Sequence, residues 1–311
     1  ADPPTAQSMY TDILVPTDGS QPAMIAARHG AAIADRIGAS VHVLSVVDIA
    51  SYSDQLADLD PAVRAQEKHL EARARETVQK TEELLCNEFD LGCTTSIDHG
   101  VPYEAITDYA TSNGMDLVIM GTHGRSGVER ILLGSVAERV IRTSEVPVIA
   151  VPRNAGANDR PDIKAVLIPT DGSAAAERAA DHGLLLANRH SASVHVLNVI
   201  RSSGALPGVD DPDRQDAEAV VERVSEKGAG FDISVSTHVQ SGNPAESILR
   251  FIDARGIDLV AMGTGDRSGV ARYLLGSIAE SVIRQSEAPV LTARGSSAPP
   301  SGPANEFLDQ G

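Results

Sequence analysis

The chain is poor in cysteine, in lysine and in long apolar runs. Its only cysteines, Cys86 and Cys93, exclude a disulfide framework. No cysteine pair or histidine cluster has metal-ligand spacing. Cys86 lies in an apolar helical stretch with Leu84, Leu85 and Phe89, and Cys93 leads into a strand-like segment; both are expected as buried free thiols. No apolar run approaches the roughly 18 residues that a membrane span needs. Residues 1–9 are polar and lack the apolar region of a signal peptide, so a cytoplasmic location is expected. Also missing are the Gly-Lys-Ser/Thr of a Walker loop, the Gly-x-Gly-x-x-Gly of a Rossmann turn and any His-x-x-His.

What is present in excess is negative charge. There are 43 acidic against 26 basic residues, a net charge of −17. Such a field repels phosphate backbones and anionic membranes, which argues against nucleic acid or membrane as a partner. Only Lys68, Lys80, Lys164 and Lys227 are lysines; the other 22 basic residues are arginines. This balance suits either a salt-rich, halophilic cytoplasm or an ordinary acidic protein. A melting temperature that rises between low and molar KCl distinguishes the first from the second.

The chain repeats itself. Ile13-Leu-Val-Pro-Thr-Asp-Gly-Ser20 recurs as Leu167-Ile-Pro-Thr-Asp-Gly-Ser173, and Ala39-Ser-Val-His-Val-Leu-Ser-Val46 as Ala192-Ser-Val-His-Val-Leu-Asn-Val199, both 153 residues later. Gly121-Thr-His-Gly-Arg-Ser-Gly127 matches Gly263-Thr-Gly-Asp-Arg-Ser-Gly269 only 142 residues later. The second copy has therefore lost eleven residues between the positions of Val47 and Gly100. A unit of this length is a domain, not a solenoid repeat. The expected boundaries are a first domain at 9–152, a linker at 153–162, a second domain at 163–294 and a disordered tail at 295–311.

Within copy one, the short aliphatic runs Ile13–Val15, Val41–Val47, Thr94–Ile97, Leu117–Met120 and Val148–Val151 read as strands covered on both faces. Helices are expected after Ser20, near Val63–Glu88, after Pro102 and over Val136–Thr143. In copy two the second helical region shortens to Asp216–Lys227. Pro102 and Pro244 are well placed to open helices. Strands alternating with helices indicate α/β architecture: two doubly wound domains, each a five-stranded parallel sheet with right-handed crossovers.

Ligands of such sheets sit beyond the carboxyl ends of strands, where strand order reverses. The first strand ends in Pro16-Thr17-Asp18-Gly19-Ser20. The fourth ends in Gly121-Thr-His-Gly124, followed after nine residues by Gly134-Ser135. Gly121 and Gly124 are expected to free the main chain for close approach to an anion, through positive φ. Gly134-Ser135 opens a helix whose N-terminus favours phosphate, with Arg125 or Arg130 as side-chain help. Ser135-Val-Ala-Glu138 and Ser277-Ile-Ala-Glu280 also fit capping boxes, a purely structural role for those serines.

These motifs resemble the ATP-binding pattern of the universal stress protein family, over about residues 10 to 294 as two tandem copies. The resemblance implies strand order 3-2-1-4-5 and binding of ATP, ADP or AMP, with Mg²⁺ carried by the nucleotide. It places Pro16, Thr17, Asp18 and Val46 around adenine and ribose, and Met120 and Gly121 beside the nucleotide. Gly124, Arg125, Gly134, Ser135 and Val136 then surround the phosphates. In copy two, Pro169, Thr170, Asp171, Val199, Met262, Gly263, Gly276 and Ser277 match, with Arg267 and Ile278 in the corresponding positions. Copy two departs at Asp266, which replaces Gly124, and at Gly265, which replaces His123. A carboxylate beside phosphates is repulsive, so the first site is expected to bind more tightly. Family members dimerise through the last strand, here Pro147–Val151 and Pro289–Leu291. That implies a pseudo-dimer of the two halves, with a homodimer of chains as a further arrangement.

Bland readings stand beside these. Asp18 and Asp171 suit helix caps and Asp-Gly turns. The recurring His29/His182 and His42/His195 suit packing. His123 has no acidic or nucleophilic neighbour in sequence, and no Ser-His-Asp pattern emerges, so no catalytic residue and no metal ligand is assigned. The charged helix Gln66–Lys80 is a solvated face with i,i+4 pairs, or a surface for an unknown protein partner. Ser51–Pro61 is a plain connection or a lid. The function expected is a nucleotide-responsive binding module in a stress response. The alternatives are a slow ATPase or nucleotidyl-transferase-like enzyme, and a structural dimerisation module with vestigial pockets.

Overall fold

A computed structural model describes residues 10–48, 61–123, 133–155, 161–201, 212–231, 233–265 and 275–295. Copy one contributes β1 (Asp12–Pro16), α1 (Gln21–Ile37), β2 (Ser40–Val47), α2 (Pro61–Phe89), β3 (Cys93–His99), α3 (Pro102–Ser112), β4 (Leu117–Gly121), α4 (Ser135–Thr143) and β5 (Val148–Val151). Copy two contributes β6 (Ala165–Pro169), α5 (Ala174–His190), β7 (Ser193–Ile200), α6 (Pro212–Ala229), β8 (Val235–Ser241), α7 (Pro244–Arg255), β9 (Leu259–Gly263), α8 (Ser277–Gln285) and β10 (Val290–Ala293). The eleven-residue deletion falls on one element: α2 has 29 residues and α6 has 18. That difference is about three helical turns.

All ten strands form one sheet in the order β3-β2-β1-β4-β5-β10-β9-β6-β7-β8. Every pairing inside a copy is parallel, and each copy has the order 3-2-1-4-5. The copies meet at an antiparallel seam, with Ala150, Ile149 and Val148 opposite Val290, Leu291 and Thr292. Thr292 Oγ1 also donates to the Val148 carbonyl across the seam, at 3.1 Å. The two halves thus pair through their last strands.

Strand alternation assigns the helices to faces. Ile13, Val15, Leu117 and Ile119 point into a core with α1, α2, α5 and α6. Leu14, Val118 and Met120 point into the opposite core with α3, α4, α7 and α8. Each core is continuous across the seam, because each includes residues of both copies. Helix and sheet approach closely at glycines: a Cβ on Gly30 would lie 2.8 Å from Val15 Cγ2, and one on Gly183 2.8 Å from Ala261 Cβ.

Three expectations need correction. β3 is an edge strand with half its residues exposed, so the run Thr94–Ile97 is not covered on both faces. Cys86 is exposed, donating weakly to the Leu91 carbonyl at 3.5 Å. Cys93 is half-buried, and burial, with Glu82 and Cys86 nearby, pushes its thiol up to about 11. Ala155 is buried, and its carbonyl lies 3.3 Å from His29 Nε2. The described part of the charged helix carries the expected i,i+4 ion pairs, Lys80–Glu76 and Arg75–Glu71. No helix among the described residues is long and apolar enough to cross a membrane. The Ser51–Asp60 loop and the tail from residue 296 lie outside the described residues.

Candidate functional site

In each copy, the carboxyl ends of the neighbouring first and fourth strands open into a crevice, as their diverging crossovers require. The first crevice has a cavity of about 350 Å³. The predicted residues Pro16, Thr17, Asp18, Val46, Met120, Gly121, Gly134, Ser135 and Val136 all line it. The second, about 520 Å³, is lined by Pro169, Thr170, Asp171, Val199, Met262, Gly263, Gly276, Ser277 and Ile278. Gly124, Arg125, Arg130, Asp266 and Arg267 lie outside the described residues. Sequence reasoning missed Leu44 and Ile106, which wall the first crevice, and Leu197 and Ile248, which wall the second.

The loop after β1 is held by its own side chains. Thr17 N donates to the Leu44 carbonyl at 2.8 Å, and Thr17 Oγ1 accepts from Gly19 N at 3.2 Å. Asp18 Oδ1 accepts from Ser20 N at 2.9 Å. Gly19 has φ +75°, which glycine adopts without strain. The cap of α1 is Ser20, whose Oγ accepts from Ala23 N at 3.3 Å. Capping by Asp18 is therefore corrected: it closes an Asx turn instead. Copy two repeats the arrangement with Ser173 as cap and Asp171 Oδ1 accepting from Ser173 N at 3.0 Å.

Gly121 does not work through positive φ; it is absent from the residues with left-handed backbone. Its constraint is proximity, since a Cβ there would lie 2.9 Å from the Pro22 carbonyl oxygen. Gly263 is tighter, with a Cβ 2.6 Å from the backbone of Ala175 and Ala176. These glycines let β4 and β9 end directly beneath the first turns of α1 and α5. That shapes the floor of each crevice.

The capping boxes at Ser135 and Ser277 do not form. The N-caps are Gly134 and Gly276, and neither helix has a side-chain cap bond. Ser135 is the first residue inside α4, exposed at the crevice. Glu138 pairs forward with Arg142 at 2.9 Å, and Glu280 with Arg284 at 2.7 Å. Gly134 N is occupied by the Thr122 carbonyl at 2.8 Å. The first amides of α4, which by helix geometry have no intrahelical acceptor, then face the cavity with the positive end of the dipole. The crevice combines aliphatic walls, the carboxylates of Asp18 and Asp48 and a helix N-terminus.

His123 also lines the first crevice, with Nδ1 2.9 Å from Thr122 Oγ1. His42 Nδ1 lies 3.1 Å from the Tyr109 hydroxyl, and His195 Nδ1 lies 3.3 Å from His238 Nε2. Among the described residues, no group of three His, Cys, Asp or Glu side chains is arranged to hold a metal ion.

The universal stress protein family model matches residues 9–152 and again 162–294. A universal stress protein of Methanocaldococcus jannaschii is 35% identical over 147 residues, covering 47% of this chain and 85% of that protein. One of Synechocystis is 26% identical over 317 residues and matches end to end, with 91% and 99% covered. The crystal structure of a universal stress protein from Archaeoglobus fulgidus superposes with TM-score 0.70 at 23% identity, over 91% of this chain and 98% of that one; this is a likeness of fold. The doubled match and the repeated strand order agree: this chain is a tandem member of the universal stress protein family.

Proposed function

We propose that each half holds an adenine nucleotide, ATP or its ADP and AMP products, and that the chain is a nucleotide-responsive binding module in a stress response. The observation that supports this best is the twice-built open crevice lined by aliphatic side chains, a carboxylate after the first strand and a helix N-terminus. Its volume lies in the range of small-molecule sites, about 300–1,000 Å³. Vestigial pockets would be expected to fill with the protein's own side chains, and among the described residues none fills either crevice. Leu44, Val46, Ile106 and Met120 offer apolar surface to a purine. Asp18 would accept from ribose hydroxyls. The first amides of α4 and the Ser135 hydroxyl would receive phosphate oxygens, with Gly124 and Arg125 adding to them. In the second half, Pro169, Thr170, Asp171, Val199, Met262, Gly263, Gly276, Ser277 and Ile278 take the same roles, with Arg267 as side-chain help. Aliphatic walls beside a helix N-terminus are features of a ligand-binding site, so binding is the output proposed here.

Native mass spectrometry of the full chain, as purified and after incubation with ATP, tests the reading. The expected result is adenine nucleotide retained at up to two per chain and released without hydrolysis on the timescale of exchange. Absence of any bound adenine nucleotide, with no heat of binding at millimolar ATP, would overturn it.

A further inference from the structure

The recurring histidine of the second strand has different company in the two copies. In copy one, His42 Nδ1 lies 3.1 Å from the Tyr109 hydroxyl and Nε2 lies 3.4 Å from Asp12 Oδ1. Ser96 Oγ reaches the same hydroxyl at 3.1 Å. In copy two all three neighbours are exchanged: the positions of Tyr109, Asp12 and Ser96 hold Phe251, Ala165 and His238. The polar partners of His195 are thus replaced by apolar groups and a second imidazole. In the ladder, His195 stands opposite Ser236 and Leu197 opposite His238, which puts the two histidines on one face of the adjacent strands β7 and β8. Both are half-buried, and every residue within five positions of either is described. The Phe251 ring of α7 backs both imidazoles, with centroids 5.5 Å and 4.9 Å away.

We infer that His195 and His238 form a two-histidine site for a divalent transition-metal ion of the zinc class, present in the second half only. The observation that carries this is the separation of His195 Nδ1 and His238 Nε2, 3.3 Å. That is long for a hydrogen bond from a nitrogen donor. It matches two nitrogens on one tetrahedral zinc ion, which at the usual Zn–N lengths stand about 3.3–3.4 Å apart. To bind, each ring keeps its proton on the far nitrogen, Nε2 of His195 and Nδ1 of His238, so that both near lone pairs face the ion. Imidazole ligands suit zinc, nickel and copper rather than magnesium or calcium. Among the described residues no third His, Cys, Asp or Glu completes the set, so water fills the remaining positions and the site is an open one. Two local charges act on it in opposite senses. The carboxyl end of α7, which carries Phe251, favours a cation. The Arg255 guanidinium, 5.4 Å from the Phe251 ring centroid, opposes one. The inference is independent of the nucleotide reading.

The test is a titration of the full chain, stripped with chelator, with zinc chloride at neutral pH. It is followed by calorimetry and by NMR of the histidine side-chain carbon–proton pairs. One zinc ion per chain is expected to shift the His195 and His238 signals together and to leave His42 in place. His195→Gln and His238→Gln should each weaken that event by about a hundredfold, since loss of even an outer partner costs about ten- to a hundredfold. His42→Gln should leave it unchanged. Arg255→Gln should tighten it about threefold at low salt, by removing a nearby positive charge. Urea midpoints without metal show whether each variant is folded, and the NMR titration of the unmodified chain decides the matter if one is not. Zinc that shifts other histidines but not this pair, binding that survives in a folded His195→Gln or His238→Gln chain, or no binding at 0.1 mM zinc (about a −5 kcal/mol threshold) would each overturn the assignment.

Discussion

His182 Nδ1 lies 2.5 Å from the Tyr10 hydroxyl, in a buried contact that joins the two copies of the repeat. The rings stack with centroids 5.8 Å apart. Burial lowers the His182 imidazole to about 4, with Asp181 opposing and Arg178 assisting. Burial, with Asp116 nearby, raises the Tyr10 phenol far above its ordinary range. Both groups are therefore neutral at pH 7.

A pH dependence follows. His182 stays unprotonated in the folded chain, whereas the unfolded chain takes up its proton near the ordinary value of 6.5. The unfolded state then binds more protons between about 6.5 and 4, so stability is full above 6.5 and falls as the pH drops to about 4. Burial also lowers His29 and His190, which add to the slope. Urea midpoints measured from pH 7.5 to 4.5 should fall less steeply in His182→Gln, which removes the titration. An unchanged slope in that variant would assign the dependence to other groups.

The glycines at the strand ends make a second prediction. Gly263→Ala places a Cβ 2.6 Å from backbone atoms of Ala175 and Ala176, which cannot rotate away. A destabilisation of about 1–3 kcal/mol is expected in urea unfolding. Gly92→Ala, where a Cβ meets nothing within 4 Å, should be nearly neutral.

Ser20 and Ser135 should separate in the same assay. Ser20→Ala removes a helix cap and should cost about 1 kcal/mol. Ser135→Ala removes no cap and should change stability by less than about 0.5 kcal/mol. On the nucleotide reading it should weaken ATP binding about tenfold or more, the scale of one hydrogen bond to a charged group. Calorimetric titration alongside unfolding gives both numbers.

Asp266 supplies the fourth prediction. Calorimetry with ATP should resolve a tighter and a weaker site, and Asp266→Gly should raise the weaker affinity. Equal affinities in the unmodified chain would count against the repulsion assigned to that carboxylate.

Much of the fold could be read from residue order, because β1, β4 and β5 are buried on both faces and are written as unbroken aliphatic runs. β3 was the exception: an edge strand needs only one apolar face, so its polar residues blurred its ends and its exposure. The site was legible in its loops and illegible in its walls. Leu44 and Ile106 look like any core residue until the sheet order places them beside Met120. Gly121 was legible as constrained, but the cause, a helix backbone within contact of its missing Cβ, is a tertiary fact. Ser135 misled by one helical position, because the capping residue before it is a glycine that carries no side-chain signal.

The antiparallel meeting of β5 and β10 turns the two halves head to tail, so their crevices open toward opposite edges of one sheet. Ligands bound in the two crevices would thereby lie at opposite ends of the strands. The seam offers one mechanical route of communication between them. It would travel from Gly121 and Gly263 along β4 and β9 and through the few rungs that link Val148–Ala150 to Val290–Thr292. Substitutions along that short ladder, far from either opening, are where cooperativity between the halves would be gained or lost.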